Sequence, residues 1–583
     1  MRSIPQLVIP FLLLASGGHG QVLFEETATS LGLNEIRNIG DGTGISFVDF
    51  DDDGWDDITV CTNAGEPVRF YKNTGGDFTE ISFDIDDPMV ASKSVVWVDF
   101  DNDGDKDLFV SCETGPNKFY RNDDFNFIDI TESAGFPTTN VYTNSASWGD
   151  YNNDGLLDVF LANRDLSQVI PNMLYKNNDD GTFTLVNNEA LIGNRSELSF
   201  QGTFYDINND GYMELYLIND RLLSKNIMYK NQANGTFSDI SFFSGSDYQM
   251  NAMSSAIEDY DYDGYTDMYI TNTTIDSGDP DPGNYLMKNN GDETFSNTAI
   301  SAGVQFGYFS WGAVWLDGDL DGYLDLYVSG QFATDGGGIL PAAYYDNQGD
   351  ASFERIVGQG FEEDLAFSYG NAMGDIDNDG YPDIIVANRD PYTDYIWKNK
   401  TSELNNNNYF KVKLEGTVSN RDGIGARIEL LANGLTQYRF TASLEGYLSQ
   451  NSEAEFFGLG TAATVDQVKV YWPSGIVDTY NDLSANQTVT IIEDNAILSV
   501  EEQQIGQGLR LYPNPATEVL NLQLPKESME SYVVYNTLGQ EVLSGKFNTS
   551  HQAQIDLSNL SAGVFVLKVT ATNRTITERF IKQ

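Results

Sequence analysis

The sequence predicts an all-β protein: a seven-bladed β-propeller over residues 21–404, a small β domain over 405–495 and a C-terminal β-sandwich over 509–583. Three observations carry that expectation. One acidic motif recurs seven times at nearly constant spacing, as in architectures that repeat one supersecondary unit. Short apolar runs rich in β-branched and aromatic residues follow each copy, with the length of buried strands rather than of helices. The charge balance also breaks near residue 508, since residues 509–583 carry 7 basic and 6 acidic side chains in a chain of 32 basic and 87 acidic ones.

Arg2 precedes an apolar stretch, Leu7 to Ala15, and a run of small residues up to Gly20, the pattern of a secretory signal peptide over 1–20. No other stretch reaches the roughly 18 apolar residues of a membrane span. The expectation is therefore an exported protein without a transmembrane segment, extracellular or on an outer-membrane surface. A length of 583 residues calls for two to four domains. A formal charge of −55 argues against nucleic acid and anionic lipid as partners. His19 and His551 are the two histidines, so the long middle of the chain has no imidazole for zinc ligation or for Ser-His-Asp hydrolysis.

The repeated motif is Asp-x-Asp/Asn-x-Asp-Gly-x-x-Asp/Glu, beginning at Asp49, Asp99, Asp150, Asp206, Asp259, Asp317 and Asp375. Carboxylates or amides at positions 1, 3 and 5 converge on one hard cation, glycine at position 6 permits the sharp turn, position 7 lends its carbonyl and position 9 closes the shell. An all-oxygen donor set favours calcium. The candidate ligands are Asp49, Asp51, Asp53 and Asp57 in loop one, and Asp99, Asp101, Asp103 and Asp107 in loop two. Loop three offers Asp150, Asn152, Asp154 and Asp158; loop four offers Asp206, Asn208, Asp210 and Glu214. Loop five has Asp259, Asp261, Asp263 and Asp267, loop six Asp317, Asp319, Asp321 and Asp325, and loop seven Asp375, Asp377, Asp379 and Asp383. The expected cofactor is thus up to seven structural Ca2+ ions. An EF-hand would need an acid at position 12 and a helix after it. Here that position is Val60, Val110, Leu161, Leu217, Ile270, Val328 and Val386, so each loop reads as a hairpin between two strands.

About eleven residues beyond each loop comes an aromatic or Met, then a variable and mostly basic residue, then Asn, from Tyr71–Asn73 to Trp397–Asn399. A turn and a phenylalanine follow in every repeat but the last, so each unit holds four strands, the content of a propeller blade. Phe24-Glu25-Glu26-Thr27 looks like an orphan copy of the missing strand. It is expected to complete blade seven and remove the free edge between the first and last blades.

These motifs resemble the FG-GAP or VCBS repeats of integrin-type propellers. Asn420-Arg421-Asp422-Gly423-Ile424-Gly425-Ala426-Arg427, Gly446-Tyr447-Leu448-Ser449-Gln450, Phe457-Gly458-Leu459-Gly460 and Trp472-Pro473-Ser474-Gly475 resemble the ASPIC/UnbV module that follows such propellers in the cartilage acidic protein family. After a linker at 496–508, Tyr512-Pro513-Asn514-Pro515, Tyr535 to Gln540, Leu560 to Phe565 and Arg579 to Lys582 resemble the type A sorting domain of the type IX secretion system of Bacteroidetes. That resemblance implies the secretion machinery as a partner.

The expected function is a calcium-stabilised adhesion or binding module for a glycan or protein, on the propeller face opposite the calcium loops, with no catalytic residue assigned. The alternative is a carbohydrate-active hydrolase or lyase using carboxylates on that face, which needs no histidine. Blades five and six carry long connections there, Asn272 to Asn284 and Ser329 to Ala343, and Arg164, Arg221 and Arg389 occupy similar positions. Tyr142, Trp148, Tyr308, Trp311 and Tyr369 read either as a sugar-binding channel mouth or as blade packing. Cys61 and Cys112 stand at equivalent strand ends, where a disulfide between neighbouring blades remains open.

Overall fold

Alternation of inward apolar and outward polar residues, cut by glycine turns, leaves the chain little choice but short antiparallel strands. The computed structural model describes residues 22–582 except 34–38, 40–41, 88, 168, 194–195, 223, 274–282, 308, 331–340, 362–363, 365, 495–496, 501–509, 513–515, 518, 524–527, 537–540, 551, 559, 562 and 572–574. The expected signal peptide, most of the expected linker, Tyr308 and the middles of the two long connections lie outside the described residues. The chain divides into two units, residues 1–499 and 500–583.

The first unit opens with seven four-stranded antiparallel sheets. In blade one the strands run Ile45–Val48, Asp57–Val60, Arg69–Asn73 and Phe78–Ile81 from the centre outward. The inner strands of the following blades are Ser92–Val98, Thr143–Gly149, Ser199–Tyr205, Ala252–Glu258, Ser310–Leu316 and Ser368–Gly374. Each inner strand touches the next, and Ser368–Gly374 returns to Ile45–Val48, so the sheets form a ring. Blade seven takes its outer strand from the N-terminus: Phe24–Glu26 pairs antiparallel with Tyr395–Asn399, placing Phe24 opposite Asn399. Apolar side chains between blades are fully buried, among them Trp97, Trp148, Phe119 and Tyr269. Cys61 and Cys112 are buried and form no disulfide with each other; both sit in the apolar cluster between blades one and two with Phe70 and Trp97. Burial pushes the Cys112 thiol up, so it stays protonated and packs as a small hydrophobe.

Residues 408–494 form two further sheets in the same unit. One orders Glu455–Gly460, Asn408–Glu415 and Thr488–Ile492, with Asn408–Glu415 and Thr488–Ile492 parallel. The other orders Leu435–Phe440, Arg427–Ala432, Thr464–Tyr471 and Val477–Ser484. Phe410, Ile428, Leu430, Phe457, Val468 and Trp472 fill the space between them. This domain caps the metal-loop end of the ring.

The second unit pairs a three-stranded sheet with a four-stranded one. Its core holds Leu520, Leu522, Val534, Ile555, Phe565, Leu567 and Val569.

Candidate metal loops and the domain that caps them

Every acidic loop joins the two innermost strands of its blade, with position 9 as the first residue of the second strand, as at Asp57, Asp107 and Asp383. The loops hold their shape through their own carboxylates. In loop one, Asp49 accepts the backbone N–H of Asp53 (3.0 Å) and of Gly54 (2.8 Å), while Asp57 accepts from Phe50 (3.3 Å) and from Asn73 (2.7 Å). The same pattern recurs in loop seven, where Asp375 accepts from Asp379 and Gly380, and Asp383 from Ile376 and Asn399. Position 6 is glycine with φ between 84° and 101° in all seven copies, a region that other residues enter only at a cost.

Five loops bring three carboxylates within 4.8 Å of one another: Asp49, Asp51 and Asp53; Asp99, Asp101 and Asp107; Asp259, Asp261 and Asp263; Asp317, Asp319 and Asp325; Asp375, Asp377 and Asp383. Loops three and four, with Asn152 and Asn208 at position 3, do not reach that number among the described residues. Asp51, Asn152, Asp261 and Asp377 each keep one buried side-chain oxygen without a hydrogen-bond partner, and Glu214 does the same in loop four. Such orphaned oxygens are costly unless something satisfies them. Four of the five stand at position 3, the one ligand position that loop one's internal hydrogen bonds do not use, so the donor set fits a cation. Burial, then the neighbouring Asp49, pushes Asp57 up to about 8; burial pushes Asp107 up to about 9. Close-packed acids that cannot all ionise are what a divalent ion relieves.

Two repeated devices escaped the sequence reading. In four blades the lysine before the strand-three asparagine reaches back to its own loop. Lys72 pairs with Asp51 and with Asp53 (2.9 Å), Lys176 with Asp154 (2.7 Å), Lys288 with Asp261 and with Asp263 (3.1 Å), and Lys398 with Asp377 (2.5 Å). The asparagine after it ties the ring together: Asn73 Nδ2 donates to the carbonyl of Ile376 (2.9 Å), and Asn177 Nδ2 to that of Phe100 (2.9 Å), both on the preceding blade's loop. Position 4 adds a second tie. Its residues have φ between 51° and 62°, and Asn102, Asn153, Asn209 and Asn378 donate to the position-6 carbonyls Gly155, Gly211, Gly264 and Gly54 of the next loops. The repeated Asn at position 4, a residue type at ease in the left-handed region, was the available signal.

The 408–494 domain presses cations onto this acidic end. Lys411 Nζ lies 2.9 Å from Asp375, Lys413 Nζ 3.2 Å from Asp49 and Arg421 Nε 3.6 Å from Asp99. Arg439, 3% exposed, faces Glu258 at 3.9 Å and its charge also acts on Asp317. The Asn420–Arg427 segment is thus an interface loop: Asp422 accepts the N–H of Asp99 (2.9 Å) and pairs with Lys106 (2.5 Å). Gly458 packs so tightly on loop six that a Cβ would stand 2.0 Å from Asp317 Oδ2.

Residues 441–452 of the same domain run into the ring's centre. Gln450 accepts from Trp97 N (2.9 Å) and its Nδ-equivalent amide, Nε2, donates to Trp97 O (2.8 Å); Ser443 makes the same pair of bonds with Trp148 (2.8 Å each). Tyr447 is fully buried against Phe200, Trp311 and Tyr369. Trp311 and Tyr369 therefore pack on this plug, Trp148 packs between blades with Phe109 and Phe119, and Tyr142 alone of the described candidates stays 38% exposed. Arg164 pairs with Asp220 of the next blade (2.7 Å), not with the adjacent Asp165, which instead accepts N–H groups of its own turn from Ser167, Val169 and Ile170.

Three family models match parts of the chain. Residues 49–110, 99–161, 150–217 and 206–270 match the FG-GAP-like repeat, residues 416–498 match the ASPIC and UnbV family, and residues 510–583 match the secretion system C-terminal sorting domain. The chain carries all three. Cartilage acidic protein 1 of Xenopus tropicalis is 27% identical over 209 residues, covering 34% of this chain and 31% of that protein. Beta-agarase D of Zobellia galactanivorans is 31% identical over 142 residues, 24% of this chain and 27% of that protein, and ulvan lyase NLR42 of Nonlabens ulvanivorans is 30% identical over 83 residues, 14% and 15%. The chain spans less than a third of the length of these relatives. Among solved structures, the Dos1 propeller matches at TM-score 0.35 and 10% identity over 62% of this chain and 93% of that one. The rhamnogalacturonan lyase YesX matches at 0.36 and 12% over 65% and 76%. The sorting domain marks an extracellular or cell-surface protein that meets a secretion machinery. Among the described residues no helix is long and apolar enough to cross a membrane.

Proposed function

We propose that this protein is a calcium-stabilised binding module that holds a glycan or protein ligand on the propeller face opposite the metal loops. Calcium is the metal because positions 1, 3, 5 and 9 offer only oxygen, from Asp, Asn and Glu side chains. Its work is to neutralise seven crowded acidic turns and so stiffen the ring and its cap.

The observation that carries the binding reading is the plugged ring. A glycosidase needs two carboxyl groups about 5 to 9.5 Å apart and open to the sugar. Glu258, Glu445 and Glu455, the acids near Arg439 at the capped end, are all pushed up by burial, Glu455 to about 7. They lie under the cap, beside the channel that residues 441–452 fill, where a polymer does not reach. The polysaccharide-acting names among the relatives favour a glycan as the ligand. The test is a polysaccharide screen of the mature chain in calcium, with assay of released sugars. Retention without products supports binding; steady release of oligosaccharide overturns it.

A further inference from the structure

The seam between ring and cap is not closed everywhere. Beside loop four a cleft of about 200 Å3 opens between Asp206 and Asp210 on the ring and Arg427, Tyr471, Trp472 and Val477 on the cap. Arg427 is held there by two aromatic faces, its guanidinium carbon 4.4 Å from the Tyr471 ring centre and 5.4 Å from that of Tyr438. Glu429, beside it, is already engaged by Lys469 (2.7 Å) and by the Tyr471 hydroxyl (3.0 Å). Among the described residues the Arg427 side chain makes no hydrogen bond and no ion pair, though its charge acts on Glu429 and Tyr438. Lys411, Lys413, Arg421 and Arg439 of the same domain all face ring carboxylates; Arg427 faces a cavity. A stacked, pre-oriented guanidinium with free donors is suited to grip a planar acid in a two-pronged fashion, and half-exposed Val477 with Ile476 offers an apolar strip for the C–H face of a sugar ring.

We infer that this cleft binds one carboxylate-bearing sugar unit of an acidic saccharide, with Arg427 gripping the acid group. The inference rests on the glycan-binding reading and places a site at the seam, away from the opposite face. Asp206 and Asp210 on the facing wall would repel an acid, so the acid group is held on the Arg427 side of the cleft.

Isothermal titration of the full chain in millimolar calcium, with a galacturonic acid trisaccharide and the matching neutral galactose trisaccharide, tests this. The acidic sugar should bind more tightly than the neutral one. Arg427→Gln should weaken it by about tenfold or more, the loss expected for a hydrogen bond to a charged group, with an unchanged melting temperature. Should Arg427→Gln disturb the fold, Val477→Asp, an exposed change that brings negative charge to the same wall, should abolish acidic-sugar binding. Equal affinity for the two sugars, no binding of the acidic one, or full affinity in both variants overturns the inference. Binding of neutral sugars untouched by either variant would leave the glycan-binding reading standing and remove only this site.

Discussion

The acidic loops fall into two groups according to what the cap does to them. Loops one, two, five, six and seven carry four carboxylates each, and the cap answers four of them, one, two, six and seven, with Lys413, Arg421, Arg439 and Lys411. Loops three and four carry three, since Asn152 and Asn208 replace an acid, and among the described residues no cap cation pairs with them. Val418 meets Gly155 of loop three through its carbonyl, and the cleft faces loop four. The same excess of negative charge is thus handled in two ways. Where the cap reaches the loop, an ammonium or guanidinium sits against its acids; in loops three and four, one acid is replaced by asparagine. The cap's cations therefore share loop carboxylates at four loops and not at the other three.

Removing the metal should break this arrangement with the largest effect. Sites with dissociation constants near 0.1–1 mM each add about 1 kcal/mol at millimolar calcium. Chelation should then lower the melting temperature of the first unit by on the order of 5–10 °C, read by calorimetry. Tyr447→Ala, which empties the centre of the ring, should cost about 3–5 kcal/mol, as large aromatic truncations in a core do; chemical denaturation of the full chain measures it.

Lys411→Met isolates the cap's contribution. Lys411 and Asp375 are both buried, and stripping one partner from a buried pair costs about 3 kcal/mol. The loss should be larger in chelator than in calcium, because the ion and the ammonium neutralise the same carboxylates. Asn378→Ala, which cuts one tie between adjacent loops, should cost about 1 kcal/mol. Lys176→Met at loop three should cost less still, under about 1 kcal/mol, since both partners are about a third exposed. If Lys176→Met were to match Lys411→Met, the distinction between capped and uncapped loops would be lost.

Much of this was legible in the sequence because a repeat multiplies a weak signal. The seven loops, the blade strands and the N-terminal strand beside Tyr395–Asn399 follow from period and pattern alone. What stayed hidden lies where two segments far apart in sequence meet. Gly446-Tyr447-Leu448-Ser449-Gln450 reads as a turn in a small domain, and nothing local says that it fills the ring 300 residues away in sequence from Trp148 or closes on Trp311 and Tyr369. Lys411 and Lys413 alternate in a strand like any surface lysines, yet they are the counter-charges of Asp375 and Asp49. The mostly basic residue before the strand-three asparagine was visible as a preference, but that four of these lysines pair with their own loop became clear only with the hairpin folded. The two cysteines stood at matching strand ends, and only packing decides that they remain thiols.

If the acidic turns are cation sites, the cap's lysines and arginines should help to set their occupancy. Calcium titration of the chelated full chain, followed by equilibrium ion counting, addresses it most directly. Uptake should approach seven ions in two classes, five tighter at the four-carboxylate loops and two weaker at loops three and four. Uptake of no calcium at millimolar concentration, or of a single ion without change in melting temperature, would contradict it.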